Sequence, residues 1–277
     1  MSAAGTGPAP GAGRIALFGS GETARVGRRV HEILLEAYPK PVPVSVIETP
    51  AGFQPNSAIL AAKVQAFFEH NLQNFKPQVT IVPARSREPG AHSTDEDEAA
   101  ALLVGSSYVF AGAGSPTYAA EHLRDTRLWR SVEARLEEGA TLALASAMAL
   151  AVSRHTLPVY EIYKVGTPLH WTAGLDLFAD LGLDLAIVPH WNNNEGGAEL
   201  DTSHCYMGAE RFERLRAQLP ASTAILGIDE HTACVVDLAH NCATVYGNGV
   251  VTVINGEAER TYKAGESFSL DELASTS

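Results

Sequence analysis

Short apolar runs alternate with longer segments of helical periodicity over the first 190 residues of the chain. A short run bounded by turn residues is typical of a buried strand, and apolar residues spaced three or four apart are typical of an amphipathic helix. The strands predicted in this way are 14–18, 44–47, 79–82, 108–111, 141–145, 185–188, 224–228, 233–237, 243–246, 250–254 and 261–263. The helices predicted are 26–38, 57–72, 94–104, a segment from 117, 128–138 and 209–219.

The first three helices carry the clearest patterns. Thr94 stands where the N-cap of helix 94–104 is expected. The predicted buried face of helix 26–38 is Val30, Ile33, Leu34 and Ala37. The predicted apolar stripe of helix 57–72 is Ile59, Leu60, Val64, Phe67 and Phe68.

The order of these elements predicts the fold class. Strands that alternate with helices form right-handed crossovers and a mainly parallel sheet, so the chain is predicted to be an α/β protein. Turn residues at Gly247-Asn248-Gly249 and Asn255-Gly256 predict antiparallel hairpins at the carboxy-terminal end. Residues 1–13 are rich in Ala, Gly and Pro and are predicted to be a disordered tail. Residues 14–277 are predicted to be a single domain.

Composition narrows the choice of partners. The 277 residues include 20 Lys and Arg against 32 Asp and Glu, a net charge of −12. This balance argues against nucleic acid and anionic membranes as partners, because both require clustered cations. No signal peptide and no run long enough to span a bilayer is visible, and Cys205, Cys234 and Cys242 are too few for a disulfide framework. We therefore expect a cytoplasmic protein with reduced thiols.

Candidate chemistry lies where strands end, since ligands of parallel sheets bind beyond the carboxyl ends of the strands. The turn at 19–22 has the order Gly-Ser-Gly-Glu, but Ala24 replaces the third glycine of a dinucleotide motif, so a tight turn is favoured over a nucleotide site. The turn at 110–117 carries alternating glycines and leads into a helix. Its free N–H groups suit an anion or a developing oxyanion, although a plain strand-to-helix turn would have the same pattern.

Three further strand ends suggest acyl-transfer chemistry. Ser146 follows strand 141–145 and precedes a helical segment, as a nucleophile does in a strand–turn–helix elbow, although a serine here is also typical of a core or capping residue. His190 follows strand 185–188 as a candidate general base. Glu230 follows strand 224–228 as a candidate acid. Together they would form a triad in the order Ser, His, acid, which differs from the order in α/β-hydrolases.

These segments resemble the cyanophycinase and dipeptidase E family of serine peptidases, and the resemblance covers most of the chain. The matching segments are residues 15–22, 110–117, 146–147, 189–190, 227–236, 247–254 and 262–268. The most specific is Gly-Ile-Asp-Glu-His-Thr-Ala, which begins at Gly227. The family implies a three-layer sandwich similar to flavodoxin and to class I glutamine amidotransferases.

The resemblance also implies the roles of individual residues. Ser146 would be the nucleophile, His190 the base and Glu230 the acid. The N–H groups of Gly114 and Ala147 would form the oxyanion hole. The reaction implied is hydrolysis of a peptide or amide bond in a small substrate through an acyl-enzyme, without a cofactor. The architecture is also compatible with a homodimer.

The residues predicted to contact substrate flank these positions. Ser115 lies in the glycine turn, where the family commonly has a polar pair such as Asp-Gln or Asn-Thr. Asn192 and Asn193 belong to a polar, turn-forming run beside His190 and are predicted to form a substrate rim, the alternative being an exposed loop.

Two other functions remain as alternatives. The family usually has G-x-S-A-G at the nucleophile, whereas this chain has Leu144 and Met148 in place of the glycines. These side chains would narrow the site or redirect the serine, which favours a small-ligand or protein binding module without activity. A metal-dependent hydrolase would draw on His170, His190, His204 and Cys205, but their spacing matches no compact ligand motif, so no metal is predicted.

Overall fold

A computed structural model describes residues 13–274, so the predicted tail at 1–13 lies outside the described residues except for Gly13. Its strands are β1 (Arg14–Phe18), β2 (Pro43–Ile47), β3 (Gln78–Val82), β4 (Tyr108–Ala111), β5 (Thr141–Ala145), β6 (His155–Thr156), β7 (Thr172–Ala173), β8 (Leu185–Val188), β9 (Ala224–Ile228), β10 (Thr232–Asp237), β11 (Cys242–Gly247), β12 (Val250–Asn255), β13 (Ala258–Lys263) and β14 (Ser267–Ser269). Its helices are α1 (Arg25–Leu35), α2 (Ser57–Asn71), α3 (Asp97–Ala101), α4 (Pro116–Leu123), α5 (Arg127–Glu137), α6 (Ala147–Ala151), α7 (Ser203–Tyr206) and α8 (Ala209–Arg216). No helix within residues 13–274 is both long and apolar enough to cross a membrane.

The main sheet has eight strands in the order β14-β11-β10-β1-β5-β4-β2-β3. The strands β1, β5, β4, β2 and β3 pair in parallel, while β10, β11 and β14 add an antiparallel half. This arrangement confirms the predicted α/β class with a mainly parallel sheet and antiparallel carboxy-terminal strands.

A second sheet of four strands, in the order β13-β12-β9-β8, was not predicted as a separate sheet. β8 and β9 pair in parallel, and β12 and β13 complete the sheet as an antiparallel hairpin. All residues of β8 and β9 are buried, as are all residues of the central strand β5 of the main sheet. The periodicity of these strands therefore says nothing about which sheet they join.

Three apolar clusters hold the layers together. One face of β1 and β5 contributes Ala16, Phe18 and Ala143 to a cluster that packs against α1 and α2. The opposite face contributes Leu17 and Leu144 to a large cluster shared with the second sheet. The third cluster lies between the other face of the second sheet and α8. Because both faces of the central strands are covered, their carboxyl ends are held on a rigid base.

Three predicted core residues of the helices are wrong. Ile33 and Ile59 are 42% and 58% exposed. Ala37 is also exposed, because α1 ends at Leu35 and position 37 lies beyond the helix. The buried side of α1 follows the spacing Gly27, Val30, His31 and Leu34, and that of α2 includes Ser57, Ala61 and Phe68. Both sets keep the three- and four-residue spacing of one helix face, from which positions 33 and 59 are rotated away.

The predicted N-cap at Thr94 is also wrong. Helix α3 begins at Asp97, after Glu96 in the N-cap position. The Thr94 hydroxyl instead donates to the carbonyl oxygen of His122, so it ties the loop before α3 to α4.

His31 is a fully buried titratable group within the first cluster. Its ring packs among the rings of Phe18, Phe67, Phe68, Tyr108 and Phe110. Nε2 donates to the carbonyl oxygen of Glu22 at 3.0 Å, and Nδ1 accepts from the Tyr108 hydroxyl at 2.6 Å. The carbonyl oxygen can only accept, so Nε2 carries a hydrogen, and Nδ1 of the neutral ring accepts from the Tyr108 hydroxyl. Burial accordingly lowers the pKa of His31 to about 4, opposed in part by the hydrogen bond to Glu22.

We expect His31 to make the fold sensitive to acid. The pKa of His31 is about 4 in the folded protein and 6.5 in the unfolded chain. The stability that comes from keeping His31 neutral is therefore complete above pH 6.5 and is lost as the pH falls toward 4. Over that window the free energy of unfolding should drop by about 3 kcal/mol more in the native protein than in His31→Gln. Urea unfolding at several pH values measures this difference.

The matched control is His70→Gln, which removes an exposed histidine at the end of α2. Its pH dependence should follow that of the native protein. Equal pH dependence in His31→Gln and the native protein would show that His31 does not titrate on unfolding.

Candidate active site

Ser146 lies at a sharp turn between β5 and α6. Its backbone has φ 51° and ψ −110°, a combination that a residue with a side chain rarely adopts. The Ser146 N–H donates to the carbonyl oxygen of Phe18 at 3.2 Å, and its carbonyl oxygen accepts from Leu150 in the first turn of α6. The turn is thus fixed on both sides, and it leaves the hydroxyl half-buried at the carboxyl edge of the main sheet.

His190 reaches the same edge from the second sheet. It follows β8, and its backbone φ of 53° is also positive. The His190 N–H donates to the carbonyl oxygen of Gly19 at 3.3 Å, which joins the loop after β8 to the end of β1. The Ser146 Oγ lies 3.0 Å from His190 Nε2.

Glu230 lies between β9 and β10, where the chain passes from the second sheet into the main one. Its Oε1 lies 3.0 Å from His190 Nδ1. An ionised carboxylate only accepts, so Nδ1 carries the hydrogen and Nε2 is free to accept from the Ser146 hydroxyl. The structure therefore brings together all three side chains that the sequence placed at separate strand ends.

The charge of Glu230 is stabilised by its neighbours. The hydrogen bond from His190 holds the pKa of Glu230 below its usual value, and a hydrogen bond from Asn193 and the nearby His231 act in the same direction against burial. The side chains of His190 and Glu230 are 16% and 27% exposed, so solvent screens this pair only in part. Glu230 stays ionised at neutral pH, as the imidazole tautomer requires.

Asn192 and Asn193 face Glu230 and are absent from the cavity wall. The Asn192 Oδ1 accepts from the Glu230 N–H at 2.8 Å, and the Asn193 Nδ2 donates to Glu230 Oε1 at 2.9 Å. Asn193 is only 3% exposed. Asn193 thus supplies a donor to a partly buried charge, and Asn192 holds the backbone of the same residue.

Ser115 is likewise occupied within the protein. It is buried, and its Oγ accepts from the Tyr118 N–H at 3.2 Å as the N-cap of α4. The same hydroxyl lies 2.9 Å from Thr117 Oγ1. The side chain predicted to contact substrate therefore serves to begin α4.

The two predicted oxyanion donors lie at the same cavity as Ser146. Gly114 and Ala147 both line the cavity that contains Ser146 and His190. A Cβ at Gly114 would lie 1.8 Å from the carbonyl oxygen of Pro50, so only glycine fits. Ala147 is the first residue of α6, and N–H groups in the first turn of a helix have no partner within it.

Leu144 and Met148 leave the serine accessible. They are 1% and 0% exposed and belong to the apolar cluster between the two sheets. Ser146, Ala147 and Leu150 line the cavity instead. The side chains that replace the usual glycines thus point into the core, and the narrowing expected from them does not occur.

The cavity beside Ser146 has a volume of about 360 Å³. Part of its wall is a segment that contains a π-helix at Glu161–Val165, a rare conformation that recurs at functional sites. Sequence reasoning missed Lys164 and Tyr206 in this wall, whereas Glu195 belongs to the polar run beside His190 that was predicted to form a substrate rim. The Tyr206 hydroxyl donates to Glu195 Oε1 at 3.2 Å. The residues that line the cavity are Gly114, Pro116, Ser146, Ala147, Leu150, Val159, Tyr160, Tyr163, Lys164, His190, Glu195, Cys205 and Tyr206.

The four residues weighed as metal ligands have other surroundings. His204 stacks on Phe212 at 4.6 Å between ring centres, and burial lowers its pKa. Cys205 is buried, and His170 Nδ1 donates to the carbonyl oxygen of Pro168 at 2.8 Å. Within the described part of the chain, no group of three or more His, Cys, Asp or Glu side chains is arranged to hold a metal ion.

Comparisons with known proteins bear on the fold. No protein-family model matches the chain. No curated protein matches it either. The crystal structure of a peptidase from an acI-B1 Actinobacterium is similar over 93% of this chain and 97% of its own, with a TM-score of 0.74 and 23% identity. A candidate peptidase E protein from Listeria monocytogenes EGD-e is similar over 92% of this chain and all of its own, with a TM-score of 0.52 and 14% identity. At these identities the likeness establishes a shared fold.

We expect the substitution Asn193→Ala to raise the pKa of Glu230. The amide of Asn193 donates to the carboxylate and helps to keep the pKa of Glu230 low, so its loss favours the protonated acid. Carbon-13 NMR of labelled glutamate side chains follows this titration, and Glu230→Gln assigns the signal. Since Asn193 is buried, its truncation should also cost about 1–3 kcal/mol of stability.

The matched control is Asn194→Ala, at the exposed neighbouring position. It should leave the Glu230 titration unchanged. If both variants titrate alike, Asn193 does not stabilise the charge.

Proposed function

We propose that the protein is a serine-type peptidase or amidohydrolase that hydrolyses a peptide or amide bond in a small substrate. The observation that carries the proposal is the hydrogen-bonded line from Ser146 Oγ to His190 Nε2 and from His190 Nδ1 to Glu230 Oε1, each step 3.0 Å long. A nucleophile, a base and an orienting acid at these distances are the elements of acyl transfer by a serine hydrolase.

Three further features support the proposal. Ser146 occupies a strained strand–turn–helix elbow, which is typical of a nucleophile in this kind of site. Several segments, among them residues 15–22, 110–117 and 227–236, resemble the cyanophycinase and dipeptidase E family. Two solved structures that share the fold bear the names peptidase and candidate peptidase E.

In the proposed reaction Ser146 attacks the carbonyl carbon while His190 takes its proton. The N–H groups of Gly114 and Ala147 stabilise the oxyanion of the tetrahedral intermediate. His190 then returns the proton to the leaving amine, and an acyl-enzyme remains on Ser146. Water attacks the acyl group with its proton passing to His190, after which Ser146 leaves with a proton and the acid product is released. Glu230 holds the imidazole and stabilises its charged form throughout.

The cavity is consistent with a short substrate. A volume of about 360 Å³ is near the lower end of the range for small-molecule sites. Its wall offers the ammonium of Lys164, the carboxylate of Glu195 and three tyrosines, so polar groups of a peptide would find partners on several sides.

A fluorophosphonate probe should label the folded protein at Ser146. The probe captures a serine whose hydroxyl is activated by a base, and mass spectrometry of the digested protein locates the adduct. Ser146→Ala should not be labelled. A folded native protein that stays unlabelled, or labelling that persists in Ser146→Ala, would refute the mechanism and favour a binding module without activity.

Loss of the acid should slow the reaction strongly. We expect Glu230→Gln to reduce the labelling rate by about 10²–10⁴-fold, because the imidazole loses the partner that fixes its tautomer. Glu199→Gln removes one exposed carboxylate from the same region and is the matched control. Equal rates in the two variants would mean that Glu230 has no part in the reaction.

A further inference from the structure

The Gly-Ser-Gly-Glu turn after β1 has no role in the proposed chemistry, yet the chain at its start contacts all three triad segments. β1 is a central strand, with β5 in parallel on one side and β10 antiparallel on the other. Ser146 follows β5, and Glu230 precedes β10. The end of β1 therefore lies between the nucleophile and the acid.

One acceptor from each of three successive residues binds the triad segments. The carbonyl oxygen of Phe18 accepts from the Ser146 N–H at 3.2 Å, and that of Gly19 accepts from the His190 N–H at 3.3 Å. The Ser20 Oγ accepts from the N–H of His231, next to Glu230, at 3.1 Å. Residues 18–20 are thus hydrogen-bonded to the nucleophile, to the base and to the residue that follows the acid.

Gly19 also packs directly against the chain that carries the acid. A Cβ at position 19 would lie 2.0 Å from the carbonyl oxygen of Asp229 and 2.7 Å from that of Ile228. The Gly19 N–H donates to the carbonyl oxygen of Thr232 at 2.9 Å, on the other side of Glu230. The neighbours are backbone atoms, so a side chain here would push the whole Asp229–Thr232 segment away.

We propose that residues 18–20 are a positioning clamp that holds Ser146, His190 and Glu230 in register across the two sheets. The inference rests on the proposed function, since it assigns these residues a role in the same reaction. None of them touches the substrate or the reacting atoms in this role. They act through the backbone of the three triad segments.

The clamp explains why position 19 is a glycine. Ser146 belongs to the main sheet and His190 to the loop after the second sheet, so a rigid element must set their separation. A displacement of about 1 Å at an active site can cost 10²-fold in rate. Three hydrogen bonds to one strand end limit such displacement.

The test compares Gly19→Ala with Gly13→Ala by fluorophosphonate labelling of the full chain. Gly13 precedes β1 at its opposite end, and a Cβ there would lie 2.0 Å from the carbonyl oxygen of Ala140 and 2.7 Å from that of Leu136. The two substitutions thus meet backbone oxygens at the same distances, but only position 19 adjoins the triad. We expect Gly19→Ala to lower the maximal labelling rate per folded molecule by about 10²-fold, and Gly13→Ala to leave it unchanged.

A second pair keeps the test decisive if Gly19→Ala does not fold. Ser20→Ala removes a single hydrogen bond and should lower the maximal labelling rate by about 2–10-fold, while the probe concentration for half-maximal rate stays the same. Ser20→Thr keeps a hydroxyl and should restore the rate. A purely structural role would lower stability without changing the rate of the folded molecules.

Each outcome has a distinct meaning. If the native protein is not labelled at Ser146, the proposed function fails. If the native protein is labelled but folded Gly19→Ala reacts as fast as Gly13→Ala, the clamp alone is refuted. Where Gly19→Ala does not fold, native rates in Ser20→Ala refute the clamp, and a loss that Ser20→Thr restores supports it.

Discussion

The apolar cluster between the two sheets is the constraint on which the site depends. Ser146 is attached to β5 of one sheet, whereas His190 follows β8 of the other, so their distance of 3.0 Å is set by how the sheets pack. Leu144 and Met148, on either side of the serine, share this cluster with Ile187 and Ile228, which precede the base and the acid. Protein interiors are close-packed and deform little. The side chains that bury the sheets therefore also constrain the spacing of the triad, together with the hydrogen bonds that join its segments to the end of β1.

Much of this arrangement could be predicted from the sequence, because it follows from where strands end. The alternation of apolar runs and helices identifies the α/β class, and the carboxyl ends of parallel strands direct attention to Ser146 and His190. The second sheet could not be predicted in this way. β8 and β9 are buried on both faces, like the central strands of the main sheet. The sequence of a strand without a polar face does not indicate which strands it pairs with. Ile33 and Ile59 show a related limit, since an apolar residue in a helix need not lie on the face that packs.

The polar residues near the site show why substrate contacts are harder to predict than the triad. Asn193 and Ser115 are predicted to contact substrate, and both side chains have partners within the protein: Asn193 donates to the carboxylate of Glu230 and Ser115 caps α4. A polar side chain beside a reactive group can hydrogen-bond either to a ligand or to another group of the protein. The sequence does not distinguish these two cases, because it does not show whether the side chain is buried. The cavity wall instead draws on Tyr163 in the π-helix and on Tyr206. Tyr163 lies between α6 and β8 and Tyr206 between β8 and α8, and no local periodicity predicts how these two connections pack.

The position of the backbone strain explains how the elbow accommodates Leu144 and Met148, where the family usually has glycines. Positive φ angles occur at Ser146, His190 and His231, three residues that carry or adjoin the triad. Such conformations persist only where the surrounding structure holds them, and here hydrogen bonds from these residues to the end of β1 do so. Leu144, by contrast, lies within a regular strand and Met148 within a helix, conformations open to any residue. Within the elbow the strain is confined to the serine, so the backbone does not require glycine at positions 144 and 148. The side chains of Leu144 and Met148 need only room, which the core between the sheets provides.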